Sequence, residues 1–247
     1  MNSRESVLKL VEKFYFLKVL IKLTRPPSIK FDLKGTKNRK KFSNKISQSN
    51  LSGPILDIGS GPVKNGNTKG LSEKIFERRK AMDYKKYPGV EIVGSVENIP
   101  LESNSTAGVL FQGVIEHIDN PKKAIEEISR ILKPGGYVYV EAPFLQHFHY
   151  DPVDHYRFTD DGLKKIFEQS NFEVIDYGSL YGPSAVLADV VIEYMAVFFR
   201  LPILYWIVKW LLGWLLFWIK YLDILFINNK NNKFLSLGVY AIAKNKY

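Results

Sequence analysis

The stretch Ile55-Leu56-Asp57-Ile58-Gly59-Ser60-Gly61 constrains the fold of this chain more than any other. An apolar run too short for a helix ends in an acid and then a Gly-x-Gly turn. That pattern reads as a buried strand handing over to a helix through a turn in which glycines let the backbone approach a ligand closely. Further apolar runs follow at 80–83, 90–94, 107–111, 136–142, 172–177 and 234–243. Helical patterns lie between them near 69–79, 121–132 and 160–169. The second is opened by Asn120-Pro121 and closed by Lys133-Pro134-Gly135-Gly136. Alternation of this kind predicts an α/β fold, a mostly parallel, doubly wound sheet covered by helices on both faces. In such sheets ligands bind at the carboxyl ends of the strands, which is where Gly59–Gly61 would lie.

A lone Gly-x-Gly turn is weak evidence for a nucleotide site, but Asp83 closes the next strand, where a carboxylate can accept both hydroxyls of a ribose. No Gly-x-Gly-x-x-Gly fingerprint is present, which argues against a dinucleotide. LDIGSG, Asp83, GSVENIPLESNSTAGVLFQGVIEHIDNP and ISRILKPGGYVYVEAP together resemble the class I S-adenosylmethionine-dependent methyltransferases, in particular the large group that includes the ubiquinone and small-molecule enzymes. The resemblance runs from about residue 53 to 143 and more loosely to 177 and through 234–243. It implies a Rossmann-like sheet of seven strands with an antiparallel last strand. It also implies that Asp57, Gly59, Ser60 and Gly61 hold the methionine part of S-adenosylmethionine, Asp83 the ribose, Ser95 and Val96 the adenine, and that Phe111 and Gln112 form the floor beside the sulfonium. Ser95 stands where the family usually has Asp, so its hydroxyl would make a weaker bond than a charged acceptor. Val63 takes the place of a third glycine. With an activated methyl group the protein's task is to align a nucleophile and, where needed, remove its proton.

His147, His149 and His155 fall within nine residues, together with Asp151, Asp154 and Arg157. The segment follows the 136–142 strand and so emerges at the carboxyl end of the sheet. His147 or His155 as general base, oriented by Asp151 or Asp154, is the catalytic reading. The other reading is that these side chains only fix the loop by hydrogen bonds. Their spacing matches no closed metal-ligand set, so no metal is assigned. His117 is read as structural or pocket-lining.

The formal charge is +10, and residues 1–50 carry all of that excess, with 13 Lys and Arg against three acids. Residues 5–23 have the spacing of an amphipathic basic helix, stopped by Pro26-Pro27. Residues 34–50, rich in Lys, Asn and Ser, read as a flexible connector. Such an arm attracts phosphate, on an anionic membrane or a nucleic acid. No apolar core of a secretory signal is evident near the N-terminus, and the absence of cysteine fits a reducing compartment.

Residues 184–230 are out of character for a soluble enzyme of this type. They hold all four tryptophans, and Pro202 divides them into two candidate helices. Glu193, Arg200, Lys209 and Lys220 keep any uncharged run short of a simple transmembrane helix. Lys209 and Lys220 share one stripe of the second helix with Tyr205, Gly213 and Asp223, which suggests an interfacial helix with snorkelling lysines and tryptophans at headgroup level. A dimerisation helix, or one packed over the sheet, is the alternative.

The expected organisation is therefore a basic helix and linker over 1–50, a methyltransferase domain over 51–183 and 231–247, and an apolar insertion over 184–230. The expected activity is O-methylation of a small-molecule or lipid-linked acceptor, a glycan intermediate, quinone or lipid, at the cytoplasmic face of a membrane. An RNA methyltransferase is less favoured, since the arm has no recognisable RNA-binding module. A non-catalytic membrane scaffold is opposed by the intact Asp57, Gly59, Gly61 and Asp83.

Overall fold

The structure, a computed structural model, describes residues 24–62, 68–149, 153–226 and 229–247. The basic helix expected over 5–23, Val63 and Asp151 lie outside these residues. Two compact units form: Asp32–Tyr181 with Lys230–Tyr247, and Gly182–Asn229 with residues 24–31.

The larger unit is built on a seven-stranded sheet. Its strands are β1 (Ile55–Ile58), β2 (Arg79–Asp83), β3 (Ile92–Val93), β4 (Thr106–Gln112), β5 (Leu132–Pro143), β6 (Phe172–Ser179) and β7 (Gly238–Asn245). They are ordered β3-β2-β1-β4-β5-β7-β6. The pairs from β3 to β5 are parallel, and β7 runs antiparallel to both its neighbours. The last strand is thus wedged between β5 and β6. It starts at Gly238, four residues later than its apolar pattern suggests, because Lys230–Phe234 forms a 3-10 turn. The chain order reverses between β1 and β4, so the crevice of this sheet opens at their carboxyl ends.

The central strands β1 and β4 and the later part of β5 are buried on both faces, as a parallel sheet covered by helices requires. The edge strand β6 leaves Glu173, Ile175 and Tyr177 exposed. Alternation assigns the side chains. Leu56 and Ile58 of β1 and Val109 and Phe111 of β4 enter one apolar cluster, while Ile55 and Leu110 enter the other. On the first face lies α3 (Pro121–Ile131), after the short α2 (Glu73–Glu77) that precedes β2. The Asn120 side chain caps α3 by accepting the Lys123 N–H, Pro121 occupies the first turn, and Ala124, Ile125, Ile128 and Ile131 form its buried stripe. On the same face, α4 (Asp160–Glu168) is capped by Thr159, carries Asp160 and Asp161 in its first turn, and buries Leu163 and Phe167.

The second face is covered by α1, Leu33–Gln48. This helix replaces the flexible connector read from residues 34–50. Only two large apolar side chains, Phe42 and Ile46, anchor it, worth about 2–3 kcal/mol each. The approach is close: a Cβ on Gly108 of β4 would lie 2.7 Å from Ile46 Cδ1. The rest of the buried stripe is polar, and its centre is Arg39, which has no exposed surface. All five guanidinium N–H groups find acceptors: Lys69 O (2.7 Å), Gln112 Oε1 (3.2 Å), Glu141 Oε1 (2.8 Å), the Asp32 carboxylate and Thr36 Oγ1.

The second unit contains α5 (Pro183–Ala196), α6 (Pro202–Leu216), a 3-10 turn (Phe217–Leu222) and a last helical turn at Asp223–Phe226. Pro202 begins α6, as expected of a proline at a first helical position. Asp223 caps α5 across the unit: its carboxylate accepts the N–H groups of Ser184 (2.8 Å) and Ala185 (3.3 Å). The charged stripe does not snorkel. Lys209 is paired with Glu193, which also accepts the Tyr205 hydroxyl at 2.8 Å, and buried Lys220 donates to Ser28 O at 2.6 Å. The Trp210 and Trp214 indoles donate to Thr24 O. These pairings turn the charges of Lys209 and Lys220 inward, and much of the outer surface of this unit is apolar. Leu187, Phe198, Leu211, Leu215, Trp218 and Leu225 are all more than half exposed.

Candidate active site at the carboxyl end of the sheet

The glycine turn sits where β1 leaves the sheet. The Gly59 and Ser60 N–H groups both donate to Met82 O of β2, at 2.8 and 3.2 Å. The next amide, Gly61 N–H, donates to Asp83 Oδ2 at 2.9 Å. Gly59 and Gly61 have φ of +69° and +57°, in the left-handed region that favours glycine. Their surroundings differ. A Cβ on Gly59 would fall 2.2 Å from Val114 Cγ2, whereas one on Gly61 would meet no atom within 4 Å. Gly59 is needed for packing of the turn on the β4 side, and Gly61 borders open space.

The other residues expected to hold the cofactor gather around this turn. Asp57 is buried beside Arg79, 3.4 Å away, and burial pushes its carboxyl up to about 6 against the pull of that guanidinium. A carboxylate so held gains from a further cationic neighbour. Asp83 Oδ1 accepts the Lys85 N–H, and its backbone carbonyl accepts the Gly94 N–H at 3.0 Å, which brings Ser95 alongside. Val96 is buried in the first apolar cluster and Ser95 is exposed, with its hydroxyl accepting the Glu97 N–H.

Phe111 and Gln112 do not form the expected floor with their side chains. Alternation along β4 turns the Phe111 ring into the core, with no exposed surface, and turns Gln112 towards Arg39. Only their backbone remains at the crevice. Residues missed from sequence thus include Arg39, which ties the loop after the glycine turn, through Lys69 O, to Gln112 and Glu141. No spacing marks it, because its partners come from four separate segments.

The histidine loop is organised by Asp154 in a way its sequence does not reveal. The carboxylate grips Arg157 at 2.5 and 2.6 Å and accepts the His149 N–H at 2.9 Å. Burial alone would raise this carboxyl, but the Arg157 fork and the His149 amide hold it down at about 2. Asp154 therefore orients His149, whose Nδ1 lies 3.3 Å away, and not His147 or His155. His155 is exposed and faces the exposed Asp119 at 3.2 Å, while its N–H fastens the loop to Glu116 O. The carbonyl of His147 accepts from Arg157 at 3.2 Å.

Beneath His149 lies Glu116, in the 3-10 turn Ile115–His117 that follows β4. Its Oε1 is 3.7 Å from His149 Nε2 and 3.8 Å from His117 Nε2. Burial raises this carboxyl and lowers His149, so both groups are pushed towards their neutral forms. The cluster adjoins the glycine turn: a Cβ on Gly113 would sit 3.7 Å from Glu116 Oε1, and Val114 is the residue packed on Gly59.

Residues 56–140 match the family described as a methyltransferase domain. These residues belong to a class I S-adenosylmethionine-dependent methyltransferase domain. S-adenosylmethionine is its cofactor, and the open space at Gly61 beside buried Asp57 and Asp83 fits that group. When bound it supplies an activated methyl on a sulfonium. The chain is 25% identical over 146 residues to a mitochondrial ubiquinone biosynthesis O-methyltransferase of Dictyostelium discoideum, a stretch covering 51% of this chain and 46% of that one. It is 22% identical over 121 residues to a ubiquinone/menaquinone biosynthesis C-methyltransferase of Ruegeria sp., covering 49% and 40%. The chain thus spans less than half the length of either relative. The solved structure of the MccD protein shares the methyltransferase domain's fold, with a TM-score of 0.50 at 15% identity over 90% of this chain and all of that one.

Proposed function

We propose that the domain transfers the methyl group of S-adenosylmethionine to an oxygen of a lipid-linked or amphipathic acceptor, a glycan intermediate, an isoprenoid quinone or a lipid, at the cytoplasmic face of a membrane. The observation that carries this reading is the apolar exterior of the second unit. Pro202–Phe226 is long and apolar enough to cross a membrane by length and composition, and little of it is buried. A surface of this extent on a soluble monomer would be an aggregation liability, and lipid is the covering that its continuity and inward-paired charges suit.

Connectivity supports the same reading. β6 ends at Ser179 and β7 begins at Gly238, paired beside the carboxyl end of β5. The chain therefore departs for the apolar unit, and returns from it, at the sheet end that bears the glycine turn. The two relatives are named for quinone biosynthesis, a class of membrane-soluble acceptor. In this reading the domain's own residues act by position. Asp57 and Gly59–Gly61 hold the methionine part of the donor, Asp83 the ribose, Ser95 and Val96 the adenine, and the loop around His149 borders the acceptor.

The test is transfer of tritiated methyl by the full chain, with a lipid extract of the source cells in vesicles in one arm and their total RNA in the other. Label in the lipid phase is expected. Label confined to RNA would replace the acceptor class, and label in neither, with S-adenosylhomocysteine still bound, would favour a non-catalytic scaffold.

A further inference from the structure

The Glu116 carboxylate has a buried oxygen, Oε2, with no hydrogen-bond partner among the described residues. A buried, unpaired carboxylate oxygen is costly and calls for a missing partner. Its other oxygen faces two imidazole nitrogens that come from segments 32 residues apart in the chain. Glu116, His117 and His149 each offer one ligand atom, and these three atoms lie within 4.8 Å of one another. The two carboxylate-to-nitrogen distances are 3.8 and 3.7 Å. An ion about 2.0–2.2 Å from each atom needs only a modest contraction of this triangle.

The outer ring of groups selects those same nitrogens. His117 Nδ1 contacts Val153 O, a carbonyl that can only accept, so Nδ1 carries the proton and Nε2 the lone pair. His149 Nδ1 lies 3.3 Å from the acceptor Asp154 Oδ2, nearer than the donor Gln146 Nε2 at 3.4 Å, and the charged acceptor favours the proton on Nδ1. Asp154 is in turn locked by Arg157. Carboxylate or carbonyl behind each imidazole, with Nε2 pointing inward, is the arrangement that orients histidine ligands in metal sites.

We propose that Glu116, His117 and His149 bind one divalent transition-metal ion, of the zinc class, at the carboxyl end of β4. Two imidazoles and a single carboxylate suit zinc and its first-row neighbours better than magnesium or calcium, which prefer oxygen. Three protein ligands leave at least one position open. Next to the glycine turn, that position can take the acceptor's hydroxyl oxygen, a use that rests on the methyl-transfer reading above. The hydroxyl proton then passes to solvent, and the oxygen lone pair forms the new carbon–oxygen bond. The methyl carbon–sulfur bond breaks with its electron pair going to sulfur.

The test separates binding from catalysis. The full chain, stripped with EDTA, is titrated with cobalt(II) chloride, and visible absorption reports low-coordinate nitrogen and oxygen ligation. One equivalent should saturate the signal, and zinc chloride should abolish it by competition. Glu116→Gln, His117→Ala and His149→Ala should each weaken cobalt binding by at least about tenfold. Asp154→Asn, which keeps all three ligands, should weaken it by about tenfold, and His155→Ala should leave it unchanged. S-adenosylhomocysteine binding on the same samples certifies that each variant is folded. Absence of saturable absorption, or titrations of the three ligand variants that match the wild type, would overturn the site. Methyl transfer without metal binding would overturn this inference and leave the methyl-transfer reading standing. Metal binding without transfer would do the reverse.

Discussion

Asp83 accepts the Gly61 N–H at 2.9 Å, so the carboxylate assigned to the ribose also fastens the glycine turn that borders the donor. In the proposed reading one side chain serves two parts of the site. Asp83→Ala should therefore weaken S-adenosylhomocysteine binding by at least about tenfold, the worth of a charge-assisted hydrogen bond. Ser95→Ala, at an exposed hydroxyl, should change it by less than about threefold. Isothermal titration of both variants checks the contrast, and equal losses would remove the distinction.

Gly59 and Gly61 should fail differently. Gly59→Ala adds a methyl 2.2 Å from Val114 Cγ2 at a φ of +69°, and should cost about 2–4 kcal/mol of stability in urea denaturation. Adding Val114→Ala should restore at least about 1 kcal/mol, a coupling between neighbours that separate sites would not show. Gly61→Ala meets open space and should cost about 1–2 kcal/mol from backbone strain alone. It should lose proportionally more affinity for S-adenosylhomocysteine than stability.

Asp57, in its proposed role, should make cofactor affinity pH-dependent. Its carboxyl, pushed up to about 6 by burial, must ionise to favour the cationic end of the donor. S-adenosylhomocysteine should bind about tenfold more weakly per pH unit below 6, and Asp57→Asn should flatten that slope. Stability of the ligand-free domain runs the other way. The folded state holds this proton more tightly than the unfolded chain, so Asp57 lowers stability by up to about 3 kcal/mol as pH rises from about 4 to 6. Calorimetry from pH 5 to 8 checks the first slope, and urea titrations check the second.

Asp154 acts with the opposite sign. Held down at about 2 in the fold, it contributes stability above about pH 4 that disappears as pH falls through 2. Asp154→Asn should be about 2 kcal/mol less stable at pH 7. The gap should narrow at pH 3, and a constant gap across this range would show that the Arg157 pairing does not set the carboxyl.

The sheet and its glycine turn were legible because they depend on local patterns: alternating burial in β1 and β4, the Asn120-Pro121 cap, and glycines at positive φ. What escaped depends on distant partners. α1 reads as a polar connector because its buried stripe is Asn38, Arg39 and Ser43 with only Phe42 and Ile46, and Arg39 acquires its acceptors only when the sheet has formed. His117 looked like pocket lining because nothing within its own segment announces His149. Asp154 chose His149 and Arg157 over the adjacent His155 because the loop folds back on itself. Lys209 and Lys220 were legible as one stripe, but not that the stripe faces Glu193 and Ser28. Two of the imidazoles in the cluster were visible as histidines and invisible as neighbours.

The membrane reading stands or falls on vesicle flotation of the full chain. Mixed with anionic or neutral phospholipid vesicles and spun through a density gradient in 1 M sodium chloride, where screening reduces electrostatic tethering to a few ångströms, the protein should still float with both. Leu211→Glu with Leu215→Glu on the exposed side of α6 should abolish flotation while S-adenosylhomocysteine binding persists. A wild-type chain left at the bottom of the gradient, monomeric without detergent, would contradict a membrane-bound methyltransferase.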